Sequence, residues 1–496
     1  MTSFARRISG REAAVDYSLS SLRKDLYIDG TWRAASDAAH IKVVNPATEE
    51  VIAQVADASS ADALDAVAAA ASTGPSWAAR APRERGEILR RSFELLIQHR
   101  EAFARLVTLE SGKALVEARA EVTYAAEFLR WYSEEAVRIE GHIGIAPSGA
   151  NRMLVTRQPI GVCVLITPWN FPAAMATRKI GPALAAGCSV ILKPAKETPL
   201  TALALAALFE SAGVPPGIVN VLPSQRSAQV VAAMLRDQRV RKLSFTGSTE
   251  TGRMLLAQAA QQVIKCSMEL GGNAPFLVFA DADMDVAVAS AMVAKLRNGG
   301  ESCTAANRFY VQAPVAKEFS ERLATAMKQV KVGPGLEEGV QMGPLVNAAT
   351  QGKVAALVNE ARDSGARVVT GGRIPEGRGY FYEPTVLADV PASARILRQE
   401  IFGPVAPIAT FDTTDEAIRL ANATELGLVS FVHTRDLAKA LAVAERIESG
   451  MVGINRGVVS DPAAPFGGWK QSGIGREGAH DGLLEYLETK YIAASW

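Results

Sequence analysis

The segment RNGGESCTAANR, residues 297–308, places Cys303 in a polar, glycine-rich stretch. A helix N-terminus or a nearby arginine lowers the pKa of a thiol, and the resulting thiolate is a strong nucleophile. Unpaired cysteines are more often buried and inert. Cys163 and Cys188 fit that interpretation because they lie in apolar strand and helix patterns. Cys303 does not fit it, so we predict that Cys303 is a nucleophile.

Two further residues have side chains that can assist a nucleophile. Glu269 in KCSMELGGN lies beside an apolar stretch, where burial would raise its carboxyl pKa toward that of a general base near neutral pH. A helix-capping or solvated glutamate is an equally good interpretation. Asn170 lies between the prolines of TPWNFP, where a rigid setting could aim its amide N–H at an oxyanion. Alternatively, the asparagine simply makes the turn.

Candidate anion-binding residues follow two apolar strand patterns. Gly247, Ser248 and Gly252 follow KLSFT and precede a helix pattern, which is the layout of a phosphate-binding turn. A plain turn with Ser248 as helix cap is equally compatible with this pattern. Lys193 and Lys196 follow the strand SVIL, at the edge where open α/β sheets bind ligands. Either lysine alone is more typical of a surface residue.

The composition indicates a globular protein of more than one folding unit. A length of 496 residues exceeds one ordinary core, and 48% hydrophobic with 21% charged residues excludes a disordered chain. A net charge of +1 favours neither nucleic acid nor an anionic membrane, and the sequence contains no apolar run long enough to span a membrane. The four scattered cysteines and five histidines form no metal-binding pattern, so we expect no metal and a reduced, cytoplasmic location.

Apolar strands and helices alternate along most of the chain. Short strand patterns lie in 27–55, helical patterns follow to about 138, and two alternating series cover about 160–270 and 275–450. Such alternation predicts βαβ units around buried parallel sheets. The terminal EYLETKYIAASW is a strand pattern outside both series. At the other end, Arg6, Arg7 and Arg11 faintly suggest a transit peptide, but a frayed, solvated terminus is the better interpretation.

Seven motifs in order connect these features: PWNFP, LKPA, FTGSTETG, MELGGN, the loop of Cys303, EIFGP and PFGGWKQSGIGRE. Together they resemble the NAD(P)-dependent aldehyde dehydrogenase superfamily, over nearly the whole chain. The resemblance implies an α/β fold with two Rossmann-like parallel domains and a small β oligomerisation domain. The implied ranges are 1–138 and 159–270 for cofactor binding, 271–455 for catalysis, 456–478 for a return loop, and 139–158 with 479–496 for oligomerisation strands.

The resemblance also implies roles for individual residues. Cys303 matches the nucleophile, Glu269 the general base, and Asn170 the oxyanion donor alongside the Cys303 backbone N–H. Lys193 matches a lysine that binds the cofactor ribose, and we place it in both the catalytic and the cofactor-binding sets. The implied cofactor-binding set is Thr167, Pro168, Trp169, Lys193, Lys196, Gly247, Ser248, Gly252, Glu400 and Phe402.

The substrate prediction rests on two arginines. Arg178 and Arg297 lie close in sequence to Asn170 and Cys303, and a pair of guanidinium groups can bind a carboxylate. With Ser460 they match the carboxylate-binding set of the succinate-semialdehyde branch. We therefore predict oxidation of succinate semialdehyde to succinate. Glutarate semialdehyde or a broader range of aldehydes is the alternative, because two arginines fix the charge but not the chain length. A cysteine hydrolase is disfavoured, since no motif pairs a histidine with Cys303.

Three departures from the family pattern carry further expectations. Lys196 stands where many NAD-preferring members have an acid, so we predict NADP in preference to NAD, with NAD possible. Ala305 stands where this branch often has a second cysteine, so we expect no redox switch at Cys303. GGES before Cys303 differs from the commoner Gly-Gln run of the family, so we expect the detailed conformation of this loop to differ as well. By resemblance, the expected assembly is a homodimer or homotetramer.

Overall fold

Two parallel sheets organise residues 16–496, which are the residues described by the computed structural model. Arg6, Arg7 and Arg11, on which the interpretation of the N-terminus rests, lie outside the described residues. No helix in residues 16–496 combines the length and the apolar character that a membrane crossing requires. Within the same residues, no group of three or more His, Cys, Asp or Glu side chains is arranged to hold a metal ion.

Fourteen α-helices cover the faces of the sheets in the described part of the chain. They are α1 (Ser60–Ala78), α2 (Pro82–Gln98), α3 (Arg100–Ser111), α4 (Leu115–Glu135), α5 (Pro172–Ala186), α6 (Pro199–Ser211), α7 (Ser227–Arg236), α8 (Thr249–Ala260), α9 (Met284–Leu296), α10 (Ala316–Lys328), α11 (Ala348–Asp363), α12 (Thr414–Asn422), α13 (Leu437–Arg446) and α14 (Ala479–Leu484).

The strands follow the predicted apolar runs closely. They are β1 (Leu26–Ile28), β2 (Thr31–Arg33), β3 (His40–Val44), β4 (Val51–Ala56), β5 (His142–Ile145), β6 (Arg152–Pro159), β7 (Val162–Ile166), β8 (Ser189–Lys193), β9 (Val219–Val221), β10 (Val240–Thr246), β11 (Lys265–Glu269), β12 (Ala274–Val278), β13 (Ala306–Gln312), β14 (Arg367–Thr370), β15 (Thr385–Ala388), β16 (Val405–Phe411), β17 (Leu426–Gly427), β18 (Val429–His433), β19 (Met451–Ile454), β20 (Trp469–Lys470), β21 (Gly473–Ile474) and β22 (Leu487–Ala494).

The first sheet has the order β2-β1-β9-β8-β7-β10-β11-β21, and its five central strands are parallel. Chain order runs outward from β7 to β9 and, on the other side, from β10 to β11, so the topology switches between β7 and β10. Open α/β sheets bind ligands at the carboxyl ends of strands beside such a switch point. The register places Ile166 beside Lys193 and Phe245, and Thr246 beside Glu269, at that edge.

The second sheet has the order β14-β15-β16-β13-β12-β18-β19, and all its pairings are parallel except that of β14 with β15. Its switch point lies between β12 and β18. The segment 297–305, which contains Cys303, directly precedes β13 in this sheet. The predicted α/β class with two parallel sheets is confirmed, while the assignment of domain ranges stays a prediction.

A third, antiparallel sheet has the order β22-β6-β5. The strand β22 pairs with β6 over its whole length, from Leu487 beside Pro159 to Ala494 beside Arg152. The terminal strand pattern is therefore a real strand. The range 479–496 is not strand throughout, because residues 479–484 form α14, whose Leu483 is buried and packs in the core beside α4 and α5.

Helix α5 carries two side chains of the candidate site. It begins directly after Asn170 and Phe171, with Pro172 at its first position, where the missing proline N–H has no cost. It ends at Gly187, which adopts a left-handed conformation with φ of 98°. All fifteen residues of α5 are buried, so Arg178 and Lys179 are held inside the protein and have to find polar partners there.

Candidate active site

A cavity of about 270 Å³ lies at the carboxyl edge of the first sheet, against the loop of Cys303. The three residues predicted to carry out the chemistry, Cys303, Glu269 and Asn170, all line it. Most of the other predicted site residues line it as well: Pro168, Trp169, Arg178, Gly247, Ser248, Arg297, Glu400, Phe402 and Ser460. Four do not, namely Thr167, Lys193, Lys196 and Gly252.

Cys303 lies in a turn between a 3-10 turn (Arg297–Gly300) and β13. No helix begins at Cys303, so of the two activators of the thiol considered from the sequence, the helix N-terminus is absent and the arginine remains. Burial raises the pKa of the Cys303 thiol to about 12, and the Arg178 charge acts in the opposite direction. The arginine effect was therefore predicted with the right sign, but burial outweighs it and the thiol is protonated at neutral pH.

The second glycine of MELGGN is explained by the same turn. A Cβ atom at Gly272 would clash with the backbone carbonyl oxygen of Cys303. Only glycine lets these two backbone segments of the chain pass this closely. Gly272 therefore fixes the backbone of the nucleophile loop. This contact places Cys303 beside the end of β11, where Glu269 lies.

Glu269 is the last residue of β11 and is only 3% exposed. Both carboxylate oxygens are buried and have no hydrogen-bond partner among the described residues. Burial raises the pKa of Glu269 well above its usual value, and the Glu477 charge raises it further, while Lys179 and Arg178 lower it. The raised pKa is as predicted, and the alternative of a solvated or helix-capping glutamate is wrong.

Asn170 is held by hydrogen bonds on three of its polar groups. Its Nδ2 donates to the carbonyl oxygen of Glu301 at 3.0 Å, and its Oδ1 accepts from the backbone N–H of Phe171 at 3.1 Å. Its own carbonyl oxygen accepts from Nζ of Lys113 at 2.7 Å. An amide nitrogen carries two N–H groups, so one N–H of Nδ2 remains available for a ligand oxygen in the cavity.

Two aromatic rings, those of Trp169 and Phe402, also line the cavity. The rings of Trp169 and Phe402 meet edge to face, with centroids 5.4 Å apart. Phe402 has a φ of 57°, a left-handed conformation that is costly for a bulky residue and marks a functional constraint. Next to it, Oε1 of Glu400 accepts from the backbone N–H of Gly272 at 3.0 Å.

The loop after β10 contains the predicted phosphate-binding residues, and packing contacts also determine which residues it contains. Ser248 caps α8, because its Oγ accepts from the N–H of Thr251 at 3.3 Å. A Cβ atom at Gly247 would lie 2.5 Å from the ring of Phe245, and one at Gly252 would lie 2.5 Å from a methyl group of Leu270. Gly252 therefore serves the packing of α8, which explains why it does not line the cavity.

The predicted lysines lie along the same sheet edge, outside the cavity. Lys193 ends β8 beside Ile166, and its carbonyl oxygen accepts from the N–H of Thr167 at 3.3 Å. Burial lowers the pKa of Lys193 to about 8, and the Lys196 charge also lowers it. Lys196 is exposed and lines a neighbouring cleft with Gln225. Both lysines are therefore placed to meet an anion that extends along the edge.

A nicotinamide dinucleotide fits these residues. The edge lies at a topological switch point, and the N-terminus of α8 at Ser248 is a favourable place for phosphate. Lys193 is a buried cation whose lowered pKa would recover beside a bound anion. The aromatic wall of Trp169 and Phe402 and the carboxylate of Glu400 lie next to Cys303 in the cavity.

The two predicted substrate arginines both lie beside the ring of Tyr124, a residue for which the sequence indicated no role in the site. The guanidinium carbons of Arg178 and Arg297 lie 5.6 Å and 5.8 Å from the ring centroid of Tyr124. Arg178 also donates to the Tyr124 hydroxyl at 2.5 Å, and Nη1 of Arg178 lies 3.6 Å from Glu477. Ser460 lines the same cavity.

A buried ion pair behind Glu269 was also missed. Nζ of Lys179 donates to Oγ of Ser244 at 2.9 Å and to the carboxylate of Glu477. Glu477 belongs to the motif PFGGWKQSGIGRE, which could have indicated a role for it. Tyr124 and Lys179 lie within ordinary helix patterns, which contain no such signal.

The comparisons with known proteins agree with this architecture. The aldehyde dehydrogenase family model matches residues 32–492, so the chain belongs to the aldehyde dehydrogenase family. It is 55% identical over 442 residues to the succinate-semialdehyde dehydrogenase of Paenarthrobacter nicotinovorans, covering 89% of this chain and 98% of that protein. It is 48% identical over 473 residues to the glutarate-semialdehyde dehydrogenase of Pseudomonas putida, covering 95% and 98%. A crystal structure of an Escherichia coli NADP dependent enzyme superposes with a TM-score of 0.95 at 46% identity, covering 96% and 98%.

Proposed function

We propose that this aldehyde dehydrogenase oxidises succinate semialdehyde to succinate through a covalent adduct on Cys303. The observation that carries the proposal is the placement of Arg178 and Arg297 around Tyr124, in the same cavity as Cys303 and Glu269. Two fixed guanidinium groups can bind a carboxylate while the aldehyde end of a short chain reaches the thiol. The similarity to relatives named for two dicarboxylic semialdehydes supports the same choice.

The first chemical step joins the thiol to the aldehyde. Glu269 lines the same cavity as Cys303 and has a raised pKa, so it can take the thiol proton. The sulfur then attacks the carbonyl carbon, and the carbonyl oxygen becomes an oxyanion. The free N–H of Asn170 Nδ2 and the backbone N–H of Cys303 stabilise that oxyanion.

A bound nicotinamide would supply the hydride acceptor that converts the adduct on Cys303 into a thioester. Glu400, Trp169 and Phe402 are the residues that would hold the nicotinamide ribose and ring. Glu269 then releases the thiol proton to solvent and, as a carboxylate again, removes a proton from a water molecule, whose oxygen attacks the thioester carbon. The carbon–sulfur bond breaks and the acid leaves. The Cys303 thiolate takes up the proton held by Glu269, which restores the thiol.

The chain length of the substrate is the finer part of the proposal. We expect kcat/KM to be highest for succinate semialdehyde, lower for glutarate semialdehyde, and at least about 100-fold lower for butanal, which lacks the carboxylate. A spectrophotometric assay with these three aldehydes tests this order. Equal kcat/KM for butanal and succinate semialdehyde would refute the carboxylate site, while a higher value for glutarate semialdehyde would favour the alternative substrate.

We propose NADP as the preferred cofactor. Lys196 is exposed at the sheet edge, three residues beyond Lys193, where it can attract a ribose 2′-phosphate. The similarity to an NADP dependent enzyme supports this choice. The test is a comparison of kcat/KM for NADP and NAD with the same aldehyde, and an equal or higher value with NAD would refute the preference.

We also propose that the chain forms a homodimer or homotetramer through the sheet β22-β6-β5. Ile143, Ile145, Tyr491 and Trp496 of this sheet and its flank are 71%, 60%, 56% and 77% exposed in the single chain. Apolar side chains of this size on one small sheet are typical of a subunit contact. Light scattering that gives the mass of one chain at micromolar concentration would exclude this assembly.

The cellular location is proposed to be the cytoplasm. All four cysteines, Cys163, Cys188, Cys266 and Cys303, are free thiols, which is typical of a reducing compartment. Fractionation of the source cells, followed by detection of the protein, tests this location.

A further inference from the structure

Asn298 connects the loop of the oxyanion donor to the loop of the nucleophile. Its Nδ2 donates to the carbonyl oxygen of Asn170 at 3.0 Å and to that of Glu301 at 3.0 Å. The same Glu301 carbonyl oxygen accepts from Nδ2 of Asn170. Asn298 is only 4% exposed, so these bonds are not exchanged for bonds to water. One buried amide therefore sets the distance between Asn170 and the segment that leads to Cys303.

The backbone of Asn298 is held in an unusual conformation. Its φ of 55° and ψ of 41° lie in the left-handed region, which asparagine tolerates better than most residues. Its backbone N–H donates to Oε1 of Glu117 at 2.6 Å. Glu117 lies in the first turn of α4, and its other carboxylate oxygen, Oε2, has no partner in the described part of the chain. Glu117 thus has Asn298 as its partner. By holding the Asn298 backbone, it fixes the direction of the Asn298 side chain.

A second contact from the same region holds the same carbonyl oxygen of Asn170. Lys113 donates to the Asn170 carbonyl oxygen at 2.7 Å and forms a buried ion pair with Glu121. Oε1 of Glu121 accepts from the backbone N–H of Ala173 at 2.9 Å, at the start of α5. The backbone at Asn170 is therefore fixed by Lys113. The position of the nucleophile loop relative to it is set by the bonds that Asn298 and the Asn170 amide both donate to the Glu301 carbonyl oxygen.

We propose that Asn298 is a positioning residue for the oxyanion donor Asn170, and that Glu117 fixes Asn298 for this task. This inference rests on the proposed role of Asn170 in the reaction. Stabilisation of an oxyanion depends on donors fixed near their working positions before charge develops. Loss of the Asn298 amide lets Asn170 and the Cys303 loop move apart, which reduces stabilisation of the transition state. Asn298 itself contacts neither substrate nor cofactor.

Two variants of Asn298 test the proposal in complementary ways. Asn298→Asp keeps the size and tolerates the left-handed backbone, but it replaces a donor by an acceptor facing two carbonyl oxygens. Asn298→Gly relieves the backbone and removes the side chain. Each should lower kcat about 10-fold to 100-fold, less than the about 100-fold to 1000-fold typical of a lost oxyanion donor. KM for semialdehyde and cofactor should stay within about twofold. Unchanged kcat in both variants would overturn the proposal.

A double-variant comparison separates positioning from a general structural effect. Because Asn298 acts through Asn170, Asn298→Asp should add less than about twofold to the loss in an Asn170→Ala background. The same fold-loss in both backgrounds would contradict action through Asn170. The rate of Cys303 alkylation by iodoacetamide should be unchanged in Asn298→Asp. A fall in the alkylation rate and in kcat, together with a rise in KM, would show a disrupted loop instead.

Variants of Glu117 complete the test. Glu117→Gln keeps an oxygen that accepts from the Asn298 N–H and should retain kcat within about threefold, whereas Glu117→Leu should lose as much as Asn298→Gly. Glu127→Gln, on the half-exposed side of α4, is the matched control. Equal kcat in Glu117→Gln and Glu117→Leu would contradict the role of Glu117.

A second assay separates this proposal from the proposed function. Hydrolysis of 4-nitrophenyl acetate requires no cofactor or carboxylate, so it measures the effect of the same variants even if the wild-type protein does not oxidise semialdehydes. A wild-type protein without semialdehyde oxidation would refute only the proposed function.

Discussion

The hydroxyl oxygen of Tyr124 lies 2.5 Å from Nη2 of Arg178, and the Tyr124 ring also lies beside the guanidinium group of Arg297. One side chain on α4 therefore contacts both cations that are proposed to bind the substrate carboxylate, and its hydroxyl group orients Arg178. Arg178 is buried, and its ion-pair partner is Glu477, whose carboxylate lies 3.6 Å from Nη1. Without the hydroxyl, the guanidinium group would be free to turn toward that carboxylate.

Tyr124→Phe should weaken binding of the carboxylate without affecting the chemistry on Cys303. A hydrogen bond to a charged group contributes about 1.5–3 kcal/mol, so we expect KM for succinate semialdehyde to rise about 10-fold or more. KM for butanal should be unchanged, because butanal has no carboxylate. A proportional rise in both KM values would show that Tyr124 shapes the cavity rather than the charge site.

Arg297→Ala is the cleaner test of the carboxylate site. Arg178 lowers the pKa of both Glu269 and Cys303, whereas Arg297 has a smaller effect, on the pKa of Cys303. We expect kcat/KM for succinate semialdehyde to fall about 10-fold to 100-fold, in line with the loss of a charge-assisted hydrogen bond. Inhibition by succinate should weaken in parallel. An unchanged KM for succinate semialdehyde would remove Arg297 from the site.

Lys196→Glu should reverse the cofactor preference. The substitution replaces a cation near the proposed 2′-phosphate with an anion, so kcat/KM with NADP should fall by about 100-fold while that with NAD is kept or raised. Lys317→Glu on α10, an equal change of charge at an exposed residue, is the control. A similar loss with both cofactors would mean that Lys196 does not contact the 2′-phosphate.

The activity should rise with pH through the neutral range. Burial and the Glu477 charge raise the pKa of Glu269, and burial raises the pKa of the Cys303 thiol to about 12. Raised pKa values keep both groups protonated over a wider pH range, and each must lose its proton to act. Activity is therefore lost as pH falls, and kcat/KM measured from about pH 6 to about pH 9 should increase.

Glu477→Gln should move this pH dependence in a known direction. Removing the Glu477 charge lowers the pKa of Glu269, and it also frees Lys179 and Arg178 to stabilise the Glu269 carboxylate. The acidic limb of the pH profile of kcat should shift to lower pH. A shift to higher pH would show that Glu477 acts on catalysis through another group.

The sequence predicted the strands, the sheet edge and the residues that lie at it, because apolar period and motif order report directly on local structure. Glu269 was only partly predictable, because the sequence left a buried and a solvated carboxylate equally open and the structure shows it buried. The environment of Cys303 was harder to predict. Its thiol pKa depends on burial by the second sheet and on the Arg178 charge, and these come from parts of the chain far from residue 303.

The partners across the fold could not be predicted for a related reason. Tyr124 and Arg178 are separated by 54 residues, and Lys179 and Glu477 by 298. Helical periodicity indicates which face of α4 is buried, but it does not indicate which side chains from other parts of the chain pack against that face. The contact of Glu117 with Asn298 is of the same kind, and the left-handed backbone of Asn298 leaves only the weak signal of an asparagine before two glycines.

The most direct test of the account is the initial rate of NADPH formation from succinate semialdehyde by Cys303→Ser, compared with the wild type and with Cys266→Ser. Serine at 303 keeps the shape but has a hydroxyl of far higher pKa, so we predict a loss of at least about 1000-fold. Cys266→Ser should keep the wild-type rate. An undiminished rate in Cys303→Ser would contradict the covalent mechanism.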